Sequence, residues 1–309
     1  MRHLITGGLG QIGSHIAELL LARGDEVCVI DNLATGRIEH LKNKNNLKIV
    51  VDTISNRELI NTLFQQFKPD CVIHAACSYK DPNDWYEDTL TNCVGATNVI
   101  KAALENETKR FIYFQTALCY GLNPISNPIR LNDIRNPEGS SYAISKTANE
   151  LYLELSGLDY VTFRLANVIG PRNVAGPLPI FYKRLKDEKK CFVTQTRRDF
   201  VYVQDLAKIV VKACDGIGSG AYHFSSGKDI AILDLYNAVV NAMNLNNYPE
   251  PEIKPINDDD TFSILLDPQK TFDDFGYISF TDIDTTVRNA IEYYDKFGTL
   301  GEYTHLKLK

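Results

Sequence analysis

Short apolar runs recur through the first half of the chain, at residues 2–6, 27–31, 47–51, 70–75, 110–115 and 160–165, each rich in Ile, Val, Phe or Tyr. Runs of this length, bounded by polar residues, predict buried β-strands. Between them the apolar spacing becomes helical. The first such stretch, 11–23, carries Ile12, Ile16, Leu19 and Leu20 on one face and stops at Gly24. Strands alternating with helices predict an α/β fold, a Rossmann-type doubly wound parallel sheet covered by helices on both faces. Beyond residue 166 the alternation fails, and Gly170-Pro171 and Gly176-Pro177-Leu178-Pro179 punctuate a loop-rich stretch. Residues 198–214 then read as a strand and helix returning to the main sheet. The expected organisation is a dinucleotide-binding domain over 1–166 plus about 198–223, with a smaller substrate-binding lobe from 167–197 and 224–309. The acidic run Asp258-Asp259-Asp260 reads as a solvated loop.

Composition removes several function classes. The 309 residues are 44% hydrophobic and 23% charged, an ordinary globular mix, with a net charge of −6. That balance disfavours nucleic acid and anionic membrane surfaces as partners. No apolar run approaches the ~20 residues of a membrane span. The first residues read as a strand followed at once by glycines, not as a signal peptide. The seven cysteines form no C-x-x-C pair, and the six histidines show no metal-ligand spacing. The expectation is a cytoplasmic protein with buried, reduced thiols and no metal.

Chemistry enters at the first turn. Thr6-Gly7-Gly8-Leu9-Gly10-Gln11-Ile12-Gly13 joins the first strand to the first helix. Glycines at 7, 8, 10 and 13 permit a tight turn, a close approach of backbone to pyrophosphate, and close helix–strand packing, while the helix N-terminus offers unpaired N–H groups. Asp31 ends the second strand, where a carboxylate accepts from the adenosine ribose hydroxyls and repels a 2′-phosphate. NAD is therefore expected rather than NADP, although Arg37 stands a few residues further on.

Tyr142 and Lys146 are four apart, on one face of an expected helix with Ser140 and Ser141 as candidate caps. A tyrosine acting as base near neutral pH needs a pKa below its usual value of about 10. A neighbouring ammonium and a cationic nicotinamide ring would both favour the phenolate. Thr116 ends the fifth apolar run, at the sheet edge where ligands sit in open α/β folds.

Together with His74-Ala75-Ala76, Asn92, Tyr120-Gly121, Arg164-x-x-Asn167-x-x-Gly170-Pro171-Arg172 and Arg198-Asp199-Phe200-Val201-Tyr202-Val203-x-Asp205, these motifs resemble the extended short-chain dehydrogenases/reductases. The likeness lies in their nucleotide-sugar epimerase/dehydratase branch. The run Gln115–Gly121 most resembles epimerases of the Wbm type from bacterial lipopolysaccharide O-antigen clusters. The resemblance implies Thr116, Tyr142 and Lys146 as catalytic residues. It implies cofactor contacts from Gly7, Gly10, Gln11, Ile12, Gly13, Asp31, Asn32, Gly36, Asp52, Thr53, Ala75, Ala76, Asn92, Tyr142 and Lys146. Thr116, Asn167, Leu178, Phe192 and Arg198 would meet a nucleotide-diphosphate sugar, with Asn167 and Arg198 at the diphosphate. It also implies a homodimer formed through helices near 85–105 and 142–156.

Departures sharpen the expectation. Dehydratases of the branch carry Asp-Glu directly after the catalytic threonine, and a decarboxylase subgroup a glutamate at the second position; here Ala117 and Leu118 stand there. Asn257 aligns with an arginine that makes a second diphosphate contact in many relatives, and Ile264 falls near a position that gates bulky sugar substituents. A UDP-sugar 4-epimerase using NAD fits this set. The alternatives are a 4-ketosugar oxidoreductase that exchanges its cofactor and a dinucleotide-sensing protein without chemistry.

Overall fold

The computed structural model describes residues 1–41, 45–79, 81–246, 248, 250–256 and 260–299. Asn257, Asp258 and Asp259 lie outside the described residues. Strands β1 (Arg2–Thr6), β2 (Glu26–Asp31), β3 (Leu47–Val51), β4 (Cys71–His74), β5 (Arg110–Thr116) and β6 (Tyr160–Leu165) follow the six apolar runs closely. Helices α1 (Gln11–Ala22), α2 (Arg57–Phe67), α3 (Trp85–Thr89), α4 (Ala96–Glu105) and α5 (Ser141–Ser156) connect or cover them, with a π-helical turn, Leu90–Gly95, between α3 and α4. Then come β7 (Asn167–Ile169), α6 (Pro177–Lys186), β8 (Phe192–Thr194), β9 (Arg197–Arg198), β10 (Phe200–Tyr202), α7 (Val203–Cys214) and β11 (Gly220–Phe224). The chain continues through β12 (Ile230–Ala231), α8 (Ile232–Ala242), β13 (Glu252–Lys254), β14 (Ser263–Ile264), α9 (Gln269–Phe275) and α10 (Ile283–Phe297).

Seven parallel strands form the main sheet in the order β11-β6-β5-β4-β1-β2-β3. Successive side chains on a strand point to opposite faces, so both faces need cover, and the residues divide accordingly. Ile5, Ile73, Ile112 and Phe163 pack with Ile16 and Leu20 of α1 and Leu206 and Val210 of α7. Their chain neighbours Leu4, Val72 and Phe111 pack instead with Ile60 and Phe64 of α2, Val99 of α4 and Leu153 of α5. A separate cluster joins Leu178 and Phe181 of α6, Val193 of β8, Leu235 of α8 and Ile291 of α10.

Residues 198–214 only partly meet expectation. Helix α7 packs along α1, and β11 extends the sheet beyond β6. Arg198, however, lies in β9, between β12 and β14, while β10 pairs with β7. The chain divides at Ala166: its N–H donates to Phe224 O in the main sheet, whereas Asn167 N–H donates to Asp199 O. That second bond draws the following strand out of the main sheet.

Candidate active site

The C-terminal ends of β1, β2, β4, β5 and β6 open onto one cavity of about 1320 Å³, above the ~300–1,000 Å³ usual for small-molecule pockets. It runs from the Gly-rich turn, past Thr116 and Tyr142, to Phe192 and Arg198. Gly7 sits at φ +64°, and a Cβ there would stand 2.7 Å from Ala76 N. A Cβ at Gly13 would stand 2.4 Å from Gly7 O. The turn is closed so tightly that only hydrogen fits at these positions. Gly10 caps α1 without a side-chain hydrogen bond, so the helix presents bare N–H groups to the cavity. Arg172 braces this helix from outside, donating to Ser14 Oγ (3.0 Å) and Glu18 Oε1 (2.6 Å).

Asp31 faces the cavity at the end of β2 and accepts from Leu9 N–H and Leu33 N–H, both at 2.9 Å. Burial raises its pKa and these amide bonds oppose the rise. Gly36 does not line the cavity but backs the carboxylate, since a Cβ there would stand 2.6 Å from Asp31 Oδ1. Arg37 turns away, donating to Phe297 O at the end of α10 (2.8 Å). The carboxylate thus faces the cavity without a cation from Arg37, an arrangement that suits free ribose hydroxyls and disfavours a 2′-phosphate. Gln11, Ile12, Asn32, Asp52, Thr53, Ala75 and Ala76 line the same cavity.

Asn92 is placed differently. Its side chain brackets Ser78, accepting from Ser78 N–H (2.8 Å) and donating to Ser78 O (3.1 Å), and also donates to Ser145 Oγ (3.0 Å). It is a clamp behind the wall rather than a lining residue.

Thr116 ends β5 and caps a short 3₁₀ turn, Ala117–Tyr120, accepting from Leu118 N–H (3.2 Å). Its hydroxyl proton remains to be donated into the cavity. Ala117 and Leu118 line that cavity and carry no proton-transfer group. Ser140 caps α5, accepting from Ala143 N–H (3.3 Å), which sets Tyr142 in the first turn facing the cavity.

Lys146 follows one turn later but is buried away from the lining. Its Nζ rests 4.3 Å from the centre of the Tyr113 ring, and burial lowers its pKa. Tyr142 departs from the expectation of a depressed pKa. Burial holds it well above its ordinary value, with Cys77, Tyr79 and Asp88 adding to the rise. Desolvation of the phenolate outweighs any help from the ammonium.

Behind Thr116 lies a buried network that sequence reasoning did not identify. Gln115 Oε1 accepts from Thr116 N–H (2.8 Å), and Gln115 Nε2 donates to Glu150 (3.0 Å). Glu150, 0% exposed, also receives Arg164 Nε (3.0 Å) and Arg135 (3.2 Å). Arg164 reaches on to Tyr120 Oη (2.6 Å), which pairs with His223 Nε2 (2.6 Å). Arg164 belonged to a recognised motif, but nothing local pointed to Glu150.

At the far end, Asn167, Phe192 and Arg198 line the cavity. Leu178 does not: it is fully buried in the lobe core, and Pro177, Ile180 and Phe181 reach the cavity from the same helix. A helix turns 100° per residue, which puts Pro177, Ile180 and Phe181 on one side of α6 and turns Leu178 away from it. Lys254 Nζ lies 4.3 Å from the centre of the Phe192 ring. Arg198 NH1 donates to Arg197 O (2.6 Å) and Thr261 O (3.0 Å), and its other arm pairs with Asp260. Asp260 is therefore a wall residue, not part of a solvated loop. Ile264 lines the wall beside it.

Residues 3–223 match the NAD dependent epimerase/dehydratase family. The chain is 62% identical to the Bordetella bronchiseptica enzyme WbmH, solved in complex with NAD+, with 96% of this chain and 99% of that one covered and a TM-score of 0.95. WbmG of the same organism, solved with NAD and UDP, is 40% identical, with 100% and 99% covered and a TM-score of 0.90. A UDP-glucose 4-epimerase of Halalkalibacterium halodurans is 28% identical, with 95% of this chain and 96% of the relative covered.

Proposed function

The chain belongs to the NAD-dependent epimerase/dehydratase family, and from that premise we propose that it inverts C4 of a UDP-sugar destined for bacterial surface polysaccharide. One observation carries the reading. Thr116 and Tyr142 face the cavity that holds the Gly-rich turn, while Ala117 and Leu118 stand where a dehydratase places its acids. The glycine cradle and Asp31 fit a dinucleotide with free ribose hydroxyls. When bound, NAD supplies reversible oxidation at C4.

The protein's own groups do the rest. Tyr142 takes the proton from the sugar O4 and returns it at the end of the cycle. Thr116 donates a hydrogen bond to the same oxygen and keeps it aligned. Lys146, whose Nζ rests 4.3 Å from the centre of the Tyr113 ring, would hold the nicotinamide ribose of a bound NAD. Asn167 and Arg198 hold the diphosphate while the sugar presents its other face, so both reactants stay in the cavity throughout.

The test is incubation of purified protein with UDP-glucose, UDP-N-acetylglucosamine and their uronic acids, without added cofactor. C4 inversion by NMR is expected for at least one. Stoichiometric consumption of added NADH with no inversion would instead favour a ketosugar reductase.

Assembly as a homodimer is part of the same reading. Trp85 and Tyr86 of α3 and Tyr152 and Leu155 of α5 are exposed, Leu155 by 80%. Apolar residues of this size on adjoining helices mark an association face. Light scattering is expected to give twice the chain mass, and Leu155→Glu to give the monomer.

A further inference from the structure

At the end of the sheet opposite the cavity, three side chains from distant parts of the sequence meet. His3 lies near the start of β1 and pairs in register with Cys71, the first residue of β4. Cys214 is the last residue of α7, which covers that face. One ligand-capable atom from each lies within 4.8 Å of the others, and all three residues are buried. Small buried thiols are ordinary core residues, and that accounts for the cysteines alone. It does not account for His3. The imidazole is 0% exposed, and neither ring nitrogen has a hydrogen-bond partner. Its polar neighbours are Asp25 Oδ2, 3.5 Å from Nε2, and the two thiols, so the sealed ring sits in a polar cluster without a close hydrogen bond of its own.

We propose that His3, Cys71 and Cys214 form a structural site for one divalent zinc ion. Two thiolates and one neutral imidazole are three of the four donors tetrahedral zinc takes, and a water would complete the set. Two thiolate charges cancel the ion's, so the filled site adds no net charge to the core. Binding replaces two thiol protons, which leave to solvent. Zn–S bonds of about 2.3 Å and Zn–N bonds of about 2.0 Å set tetrahedral edges near 3.5–3.8 Å. The observed spread needs only a modest contraction. Asp25 Oδ2, 3.5 Å from His3 Nε2, is placed to accept the remaining ring N–H. Its own charge is already met by the Met1 ammonium (2.8 Å) and Arg23 (2.6 Å). The site shares no residue with the cavity, so it pins α7 to β1 and β4 and takes no part in turnover.

The test reads metal, not turnover, and stands apart from the proposed epimerase activity. Protein purified under reducing conditions and stripped with chelator is titrated with Co²⁺ as the spectroscopic probe. A thiolate-to-cobalt charge-transfer band is expected to saturate at one ion per chain and to disappear on adding Zn²⁺. Cys71→Ser and Cys214→Ser each abolish the band, and His3→Gln weakens Zn²⁺ binding at least tenfold. Cys191→Ser, a buried thiol in the other lobe, leaves it unchanged. If the serine variants fail to fold, the wild-type titration still decides. Absence of the band in the stripped, reduced wild type overturns the proposal, as does a band that survives both serine substitutions. Isolation of the chain with a Cys71–Cys214 disulfide and no metal under reducing purification also overturns it.

Discussion

Replacing Asp260 by asparagine should tighten, not weaken, the hold on a UDP-sugar. The carboxylate of Asp260 occupies one arm of the Arg198 guanidinium, and the two side chains are 10% and 12% exposed. A phosphate oxygen that needs this arm must first displace the carboxylate. Asparagine keeps an oxygen for Thr261 N–H, which Asp260 Oδ1 accepts at 2.8 Å. It also leaves Arg198 NH1 anchored on two backbone carbonyls. What disappears is the charge of the competitor. A charge-assisted hydrogen bond is worth ~1.5–3 kcal/mol net, about twice a neutral one. Exchanging one for the other therefore removes roughly 1–1.5 kcal/mol of competition, about tenfold in affinity. Calorimetry with UDP should show Kd falling about tenfold, and steady-state kinetics should show KM falling with kcat unchanged. The gain should shrink at high salt. An unchanged or higher Kd would refute the argument and make Asp260 a support that positions Arg198.

Tyr142→Phe should lower kcat by ~10²–10⁴, the usual contribution of a general base, with UDP affinity unchanged by calorimetry. Gly36→Ala should raise the Kd for NAD about tenfold, because the new methyl displaces the Asp31 carboxylate from a contact 2.6 Å away; fluorescence titration reads this, and an unaltered Kd removes Asp31 from the ribose site. Acid should destabilise the chain through its buried histidines. Burial lowers His40 and His223 to about 4 and His74 to about 3. The unfolded chain protonates these rings near 6.5, so their contribution is complete above that pH and is lost as pH falls toward 4. Tm should decline from about pH 6.5 downward, most steeply between 6 and 4, and a flat Tm from pH 7 to 5 would contradict this.

The main sheet was legible because its information is local. Each buried parallel strand is a continuous apolar run, and each needs only its neighbours in sequence to declare itself. The cradle was legible for a similar reason: Gly7, Gly10 and Gly13 lie within one turn, and the constraint that excludes a side chain acts between them and the adjoining strand. The rest depends on long-range contacts. Asp260 reaches Arg198 across 62 residues, and Glu150 finds Gln115 35 residues away. His3, Cys71 and Cys214 share no short spacing in the sequence; only the strand register and α7 bring them together. Leu178 shows the limit of reading a helix without its orientation, since the neighbouring Pro177 and the nearby Ile180 and Phe181 meet the cavity and it does not. Tyr142 shows that spacing alone does not set a pKa, since burial of the ring dominates.

The contact between Arg37 and the last carbonyl of α10 has a consequence for engineering. A cation at the C-terminal end of a helix is held by the helix dipole as well as by the hydrogen bond. On the proposed reading, cofactor preference would be guarded twice, by the carboxylate at Asp31 and by the far end of the fold, which keeps the nearby arginine occupied. Neutralising Asp31 alone yields a chain that tolerates a 2′-phosphate without attracting it. Recruiting that phosphate also requires Arg37 to let go of the α10 terminus. If Asp31 reads the ribose, a change of cofactor that recruits Arg37 would also have to break its bond to Phe297 and so draw on the stability of that helix end.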